Sequence, residues 1–265
     1  MVAAFVAAAG HPRTVRGQES NGEERQPRVC PQFDHEHAAW TAILQRYVSG
    51  GWVSYTELRD SGMPDLRRYL ASLEAVCRED FDAWTEAEKL AFWINAYNAY
   101  TVKLILDHYP VKSIRSIGLL PGAAFRERFI PLQNVRGHLV SLNEIEHEIL
   151  RREFREPRIH FAIVCASKSC PALRSEAYRA SRLDDQLDDA ARTFLRDVHK
   201  NRFDPVTRTL YLSSIFRWFR EDFERAASSL PAFVAPYFDR STAAEILAPG
   251  VKVEFLDYDW SLNGR

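Results

Sequence analysis

The sequence has little of several features that would assign it to a structural or functional class. Only four of its 265 residues are cysteine. That is too few for a disulfide-held scaffold, so an apolar core must hold the fold. Lysine plus arginine number 35 and aspartate plus glutamate 36. This balance argues against nucleic-acid binding through overall basicity. No apolar run reaches the roughly 20 residues that span a bilayer.

Motifs of common enzyme classes are also missing. The sequence has neither a glycine-rich phosphate-binding loop nor the Gly-x-Ser-x-Gly turn of many serine hydrolases. Zinc proteases need two histidines four residues apart on a helix, whereas the acidic stretch 144–148 holds only one. We therefore expect neither a metal nor a cofactor.

The first 32 residues differ in composition from the rest. Residues 1–10 read MVAAFVAAAG, an apolar stretch that ends in small residues but lacks the basic start of a secretory signal. Residues 11–28 are polar and have too few large apolar groups to offset the entropy of ordering. We interpret residues 1–32 as a disordered tail or signal-peptide remnant, followed by one domain over 33–265.

Hydrophobic spacing divides the rest of the chain into helices and short strands. The strongest helical pattern runs over 85–108, opened by the capping-box pair Thr85 and Glu88. Further helices are predicted over 35–48, 64–77, 142–154, 172–200, 214–226, 231–238 and 241–248. Short strands are predicted over 137–142, 158–165, 207–213 and 251–257. Because these elements do not follow βαβ order, the sequence predicts an α+β fold, a helix-rich single domain packed around a few short strands.

Two asparagines lie within the apolar helix predicted over 85–108. Asn95 and Asn98 are three residues apart and share one face. A buried amide without partners costs roughly 1–3 kcal/mol, so each must be satisfied. They either hold neighbouring loop backbone or line a site, where one would bind substrate as an oxyanion donor or orient a catalytic histidine.

An acidic stretch near the middle of the chain carries a histidine. Glu144 and His147 are three residues apart on the helix predicted over 142–154, so they can touch on one face, and Glu146 is next to the histidine. The stretch is either a solvated acidic face or a carboxylate-oriented imidazole that acts as a base.

The segment 158–171, RIHFAIVCASKSCP, is the most informative part of the sequence. We predict a central strand that ends at Cys165, with His160 and Val164 on the same face. The small-residue loop after such a strand is a common position for a reactive side chain.

The second cysteine of this segment, Cys170, directly precedes Pro171. Proline favours the first turn of a helix, which would make Cys170 an N-cap residue. A helix N-terminus favours a thiolate, and Lys168 would lower the thiol pKa in the same direction.

Four interpretations of this cysteine pair remain open. The pair can be structural, or it can form a disulfide or redox couple, although its spacing is longer than C-x-x-C. One cysteine can be a nucleophile with a histidine base. Both can bind zinc with His147 and His160, at spacings unusual for zinc. The other two cysteines, Cys30 in the tail and Cys77 in a helix, suggest no catalysis.

Several short motifs follow one another along the chain. They are FWINAYNA at 92–99, LNEIEH at 142–147, RIHFA at 158–162, Cys165, SCP at 169–171, LSSIFRW at 212–218 and YDWSLN at 258–263. In this order they resemble the DUF547 family, a domain of unknown function in bacteria and plants. The resemblance covers about 35–263 and implies a single domain but no settled activity. Many bacterial members look exported, which favours a periplasmic or secreted protein over a cytoplasmic one.

Plant members similar to this chain refine the choice between the two cysteines of the segment. Some of them keep a cysteine at the position of Cys165 but have serine at that of Cys170. The resemblance therefore favours Cys165 as the functional cysteine.

These observations lead to three functional hypotheses. The first is a cysteine-dependent hydrolase or transferase acting on an amide, peptide or thioester. The second is a non-enzymatic module that binds a peptide or small ligand and keeps a structural Cys165–Cys170 pair. The third is a redox-sensing protein that uses the same pair. The candidate catalytic residues are Cys165, Cys170, His160, His147, Glu146 and Glu144, and the candidate substrate-binding residues are Asn95, Asn98 and Lys168.

Overall fold

Helices account for most of the backbone in the computed structural model, which describes residues 30–120 and 122–265. The α-helices are α1 (Ala38–Tyr47), α2 (Tyr55–Glu57), α3 (Met63–Glu74), α4 (Arg78–Ala83), α5 (Glu86–Asp107), α6 (Ala123–Arg126), α7 (Gln133–Arg136), α8 (Leu142–Glu144), α9 (Leu183–Arg196), α10 (Ser214–Trp218), α11 (Arg220–Ala227), α12 (Leu230–Val234) and α13 (Arg240–Ile246). Turns of π-helix cover Leu58–Gly62 and Ile145–Phe154, and turns of 3-10 helix cover Ile114–Ser116, Pro157–Phe161, Ala180–Arg182 and Ala235–Tyr237. The predicted signal-peptide remnant at 1–10 and the polar stretch 11–28 lie outside the described residues.

Helix α5 lies at the centre of the molecule. It begins as predicted, because the Glu88 backbone N–H donates to the Thr85 hydroxyl and the Thr85 backbone N–H donates to the Glu88 carboxylate at 2.8 Å. Most of its 22 residues are buried. A helix that is apolar all round needs neighbours on every side, and the shorter helices surround α5 for this reason.

The strands form two small sheets. They are β1 (Val48–Ser49), β2 (Trp52–Val53), β3 (Arg202–Asp204), β4 (Thr209–Ser213) and β5 (Lys252–Leu256). Strands β1 and β2 form a hairpin whose turn residues, Gly50 and Gly51, both have positive φ, as a tight hairpin turn requires. In the other sheet β4 is central, antiparallel to β3 and parallel to β5. This arrangement confirms the predicted helix-rich α+β fold.

Two apolar clusters form the core. The larger one surrounds α5 and includes helices α1 and α3. The smaller one packs α9 to α12 against the three-stranded sheet around a group of phenylalanines that includes Phe161, Phe216 and Phe223. Among the described residues, none of the helices is both long and apolar enough to cross a membrane.

The prediction of a central strand over 158–165 is wrong. Pro157 instead opens a 3-10 helix that ends at Phe161, and an irregular turn follows. The Asn98 amide donates to the Ala162 carbonyl at 2.9 Å and accepts the Val164 backbone N–H at 2.9 Å. A side chain thus supplies the hydrogen bonds that a neighbouring strand would have made, which a short apolar run cannot reveal.

A predicted strand and a predicted helix are also shorter in the structure than in the sequence prediction. The strand predicted over 137–142 reduces to a single bridge between Ile130 and Val140. Residues 172–179 are irregular, and only Ala180–Arg182 and α9 are helical in the segment predicted as helix over 172–200. Pro171 therefore opens no helix, and Cys170 is not an N-cap residue.

Cys30, which the sequence places in the tail segment 1–32, is covalently attached to the domain. It forms a disulfide with Cys77, with their Cα atoms 5.8 Å apart. Phe33, three residues later, stacks on Trp84 with ring centroids 5.1 Å apart. The bond and the stacking attach the start of the described chain to the helices that precede α5.

Candidate functional site

A cavity of about 230 Å³ opens where the two apolar clusters meet. Its wall is mostly apolar and includes the rings of Phe125, Trp218, Phe219, Tyr258 and Trp260. Five of the nine predicted site residues line it, namely Cys165, Cys170, His160, His147 and Glu146. Residues up to 24 positions apart in the sequence are thus brought together around one space.

The two cysteines of the cavity are joined to each other. Cys165 and Cys170 form a disulfide across a turn of four residues. Within the turn Ala166 has a φ of 57°, a left-handed conformation that costs a non-glycine residue roughly 1–2 kcal/mol. Cys165 keeps partial exposure to the cavity, whereas Cys170 is 3% exposed. The zinc alternative requires both sulfurs as thiolates, and in the disulfide neither is available.

Polar hydrogens surround the two sulfur atoms. The Cys165 backbone N–H donates to Cys170 Sγ at 2.8 Å, and the Tyr258 hydroxyl donates to the same sulfur at 3.3 Å. Cys165 Sγ lies 3.1 Å from the Ser167 hydroxyl and 3.2 Å from that of Tyr258. Lys200 donates to the Cys170 carbonyl at 2.8 Å and brings a positive charge close to this cysteine. Such donors favour the thiolate form of a cysteine when the disulfide is open.

His160 and the Asp222 carboxylate form a hydrogen-bonded dyad. Its Nε2 lies 2.8 Å from the Asp222 carboxylate, and Phe219 stacks on the ring with centroids 3.9 Å apart. Because a carboxylate only accepts, Nε2 carries the proton in the neutral ring and Nδ1 keeps its lone pair. Nδ1 is buried and has no hydrogen-bond partner among the described residues. The buried ring thus has one nitrogen free to act as a base.

The two members of this dyad differ in their ionisation. Burial lowers the pKa of His160, and the attraction of Asp222 offsets this only in part. Burial alone would raise the pKa of Asp222, but hydrogen bonds from His160 and Arg151 outweigh it and hold that pKa well below its ordinary value. At neutral pH the pair is therefore a neutral imidazole beside a carboxylate.

His147 is arranged through an arginine rather than through a carboxylate. Arg151 Nη1 donates to His147 Nδ1 at 3.0 Å, while Nε of the same guanidinium donates to Asp222 at 2.6 Å. Arginine has no acceptor, so His147 Nδ1 must accept and its Nε2 must carry the proton. Burial, and then the charge of Arg151, lower the pKa of His147. The neutral ring can donate one hydrogen bond into the cavity.

Glu146 is an enclosed carboxyl group at the cavity wall. Its Oε2 accepts the Tyr97 hydroxyl at 3.2 Å. Burial raises the pKa of Glu146 to about 7, although the Tyr97 hydrogen bond and the charge of Arg151 act in the opposite direction. The residue keeps some exposure toward the cavity, so this carboxyl group can exchange protons near neutral pH.

The remaining predicted residues lie outside this cavity. Glu144 does not touch His147 as predicted, because the helix widens into a π-helix at Ile145; its carboxylate instead lies 2.7 Å from His138 and 3.2 Å from Arg128. Lys168 is exposed and lines a different groove.

Both asparagines of α5 hold backbone, the simpler of their two predicted roles. Asn95 donates to the Tyr178 carbonyl at 2.7 Å and accepts the Tyr178 N–H at 3.0 Å. Asn98 holds residues 162–164, as described above. Neither amide is left to bind substrate, but Asn98 fixes the backbone that leads directly into Cys165.

Sequence reasoning missed several residues of the site. Asp222 lies 62 positions after His160, in a helix with no motif of its own, and nothing local marks it. Asn143 lines the cavity within the LNEIEH motif but was not selected. Tyr258 and Trp218 lie in the motifs that carry the family resemblance, so the resemblance was the available signal.

The chain combines a helix-rich α+β fold with a cavity lined by the Cys165–Cys170 pair and by His160, which is bonded to Asp222. Residues 81–195 match the profile of a family described as proteins of unknown function, DUF547. The predicted resemblance is confirmed over those residues, which include α5, Cys165, Cys170 and both cavity histidines. Neither the curated proteins nor the solved structures contain a significant match to this chain.

Proposed function

We propose that the protein, with its cavity disulfide reduced, is a cysteine-dependent hydrolase or transferase acting on an amide, peptide or thioester. The observation that carries this proposal is His160, which lines the same cavity as Cys165, is oriented by Asp222 through Nε2 and has a buried Nδ1 with no partner among the described residues. A nucleophile, a base and an orienting carboxylate are the parts that acyl transfer needs.

The chemical steps follow from these assignments. The Cys165 thiol passes its proton to His160 Nδ1, and the thiolate attacks the carbonyl carbon of the substrate. The C–N or C–S bond then breaks, and the imidazolium returns the proton to the departing amine or thiolate. Water, or a second nucleophile, attacks the acyl group on Cys165 and restores the thiol.

Other cavity groups have roles that fit their protonation. The Tyr258 hydroxyl and the Asn143 side chain can donate to the carbonyl oxygen as negative charge develops there. Glu146, with its pKa raised to about 7 by burial, can donate or accept a proton at the leaving group. The Nε2–H of His147 can bind a substrate carbonyl.

The test is to trap the acyl-enzyme. Reduced protein is incubated with a panel of acyl thioesters and peptide nitroanilides, and released thiol or nitroaniline is measured together with peptide masses. We expect an acyl adduct on Cys165. Turnover should fall at least about 100-fold in Cys165→Ala, and by a comparable factor in Asp222→Asn, which leaves the imidazole unoriented.

The control is Cys170→Ala, which keeps the nucleophile and should retain turnover. Circular dichroism confirms that each variant is folded. Turnover that survives Cys165→Ala, or an adduct that forms on Cys170 alone, would contradict the proposed nucleophile.

A second candidate, a peptide- or ligand-binding module, is favoured by the disulfide itself. In the oxidised protein the cavity keeps its aromatic wall, in which Trp218 and Trp260 stack with centroids 5.7 Å apart. Such a wall suits an apolar or aromatic group of a small ligand or peptide. Equal ligand affinity of the wild-type protein and Cys165→Ala/Cys170→Ala, without turnover, would support this module over the enzyme.

We propose an exported protein, periplasmic or secreted. The support is the apolar stretch at 1–10, which lies outside the described residues, together with two disulfides, which persist in oxidising compartments. Alkylation of intact cells before lysis, followed by mass spectrometry, tests this. Free thiols at Cys30 and Cys77 in the cell would count against export.

A further inference from the structure

The two sulfur atoms of the cavity disulfide are placed unequally. Both cysteines line the cavity, but Cys165 keeps partial exposure whereas Cys170 is only 3% exposed. A molecule that enters the cavity therefore reaches Cys165 first. Of the two sulfurs, this one is available for attack by an incoming nucleophile.

Hydroxyl groups lie near both sulfurs, since Cys165 Sγ has the Ser167 hydroxyl at 3.1 Å and the Tyr258 hydroxyl at 3.2 Å. Among the described residues, a backbone N–H donor and a nearby ammonium are found at Cys170 alone of the two. Cys170 Sγ accepts from the Cys165 backbone N–H at 2.8 Å and from the Tyr258 hydroxyl at 3.3 Å, and the Lys200 ammonium is held at the carbonyl of the same residue. These groups would stabilise negative charge on Cys170. In thiol–disulfide exchange the better-stabilised thiolate leaves faster, so Cys170 is built as the leaving group.

We propose that Cys165–Cys170 is an exchanging disulfide that reacts with a low-molecular-weight thiol entering the cavity. The inference concerns the same cysteine as the proposed acyl transfer but does not rest on it. If both hold, the exchange generates the thiol that acyl transfer requires.

The exchange proceeds in two balanced steps. The incoming thiolate, whose proton has gone to water, attacks Cys165 Sγ; a new S–S bond forms as the Cys165–Cys170 bond breaks, and the bonding pair leaves on Cys170 Sγ. A second thiolate then attacks the sulfur of the bound small molecule and releases the Cys165 thiolate. Two thiols are oxidised to one disulfide, and the protein disulfide is reduced to two thiols.

The cavity favours a small thiol over a protein thiol. Its volume is about 230 Å³, which suits a small molecule, and Cys165 is one of its lining residues. A thiol on a folded partner protein would have to extend into the space bounded by Trp218 and Trp260. The chemistry of the attack is the same for both sources, so the experiment separates them.

The first measurement uses the wild-type chain and glutathione. Protein is mixed with reduced glutathione, quenched with acid at short times and digested for mass spectrometry. We expect a glutathione adduct on Cys165 with a free thiol on Cys170. The second arm replaces glutathione with a small reduced dithiol protein, and we expect slower reduction of the cavity disulfide at equal thiol concentration.

Matched variants test which sulfur is attacked without depending on a short-lived intermediate. Cys170→Ser and Cys165→Ser each leave one cavity thiol, and each is treated with glutathione disulfide. We expect Cys170→Ser to form its adduct at least tenfold faster than Cys165→Ser. In the wild-type chain Lys200→Met should slow the exchange about tenfold, because the positive charge beside Cys170 is lost. Lys252→Met, at an exposed lysine on β5, should not change it.

Three results would overturn the proposal. They are an adduct on Cys170 in place of Cys165, equal rates for the two serine variants, and reduction by the protein dithiol alone. Because the readout is a peptide mass rather than turnover, a protein that exchanges but never acylates would contradict only the enzyme proposal.

Discussion

The chain carries two disulfides in settings that differ in almost every respect. Cys30–Cys77 joins residues 47 positions apart and lies beside stacked aromatic rings at the start of the described chain. Cys165–Cys170 joins residues five positions apart, lines a cavity and has hydroxyl groups within 3.3 Å of its sulfurs. The first has the features of a structural crosslink, and the second is the pair for which we propose exchange. The same covalent bond thus takes its role from loop length and surroundings.

The largest difference should appear in stability. In the chain-entropy account, a crosslink that closes a loop of this length contributes about 4 kcal/mol, and one across five positions about 2 kcal/mol. We expect Cys30→Ser/Cys77→Ser to lower the free energy of unfolding by about 4 kcal/mol, measured by urea denaturation under oxidising conditions. Turnover and glutathione exchange at the cavity should be unchanged at temperatures where the variant is folded.

The comparison would fail if this variant lost cavity chemistry while still folded. It would also fail if its loss of stability were smaller than that of the matched serine variant of the cavity pair.

The cavity also makes the free energy of unfolding depend on pH, through Glu146. The pKa of Glu146 is raised by burial from 4.5 to about 7, so the folded state binds a proton that the unfolded state releases. Its contribution is fully present below pH 4.5 and is lost as the pH rises through 7. This contribution to the free energy of unfolding is on the order of 2–3 kcal/mol, a value reduced for solvent screening in the open cavity.

We therefore expect Glu146→Gln to gain stability relative to the wild-type chain between pH 5 and 8, with little difference below pH 4.5. Urea denaturation of both proteins across this range measures the effect. Glu153→Gln, which removes an exposed carboxylate paired with Arg136 at 3.1 Å, is the control and should change stability little at any of these pH values. Parallel curves for Glu146→Gln and the wild-type chain would mean that the carboxyl group is solvated.

Local signals in the sequence predicted the helical frame well. The Thr85 and Glu88 cap, helices α1 and α3, and strands β4 and β5 depend on residues close together in the chain, and all were predicted near their observed bounds. The segment 158–165 was mistaken for a strand because its backbone is satisfied by the side chain of Asn98, about 65 positions earlier. Composition cannot show a partner at that distance.

The site was predictable in part for the same reason. Cys165, Cys170 and His160 lie in one segment, so a single motif identified them. The orienting carboxylate was assigned to Glu144 or Glu146 because they are near His147, but Asp222 orients His160 from another helix. Of the two glutamates, only Glu146 lines the cavity. The π-helix that begins at Ile145 directs Glu144 toward His138 instead.

The smallest effect is expected from the cavity disulfide itself. The turn it closes is already held by the C-terminal segment: Lys168 donates its backbone N–H to Ser261 at 2.9 Å, Ser169 to Asp259 at 3.2 Å, and Asn263 to the Ala166 carbonyl at 3.1 Å. With the turn fixed by these bonds in the folded state, opening the disulfide releases little native structure. We expect Cys165→Ser/Cys170→Ser to lower the free energy of unfolding by at most about 2 kcal/mol.

This variant and Cys30→Ser/Cys77→Ser are compared by urea denaturation. Both replace two cysteines with two serines, so the difference between their losses of stability reports the two disulfides and not the replacement. A loss of about 4 kcal/mol or more at the cavity would mean that the disulfide, and not the C-terminal segment, holds the turn. The exchange reaction would then require partial unfolding of the site. A loss of 2 kcal/mol or less leaves a disulfide that can open and close within an intact fold, which is the property that a reactive pair needs.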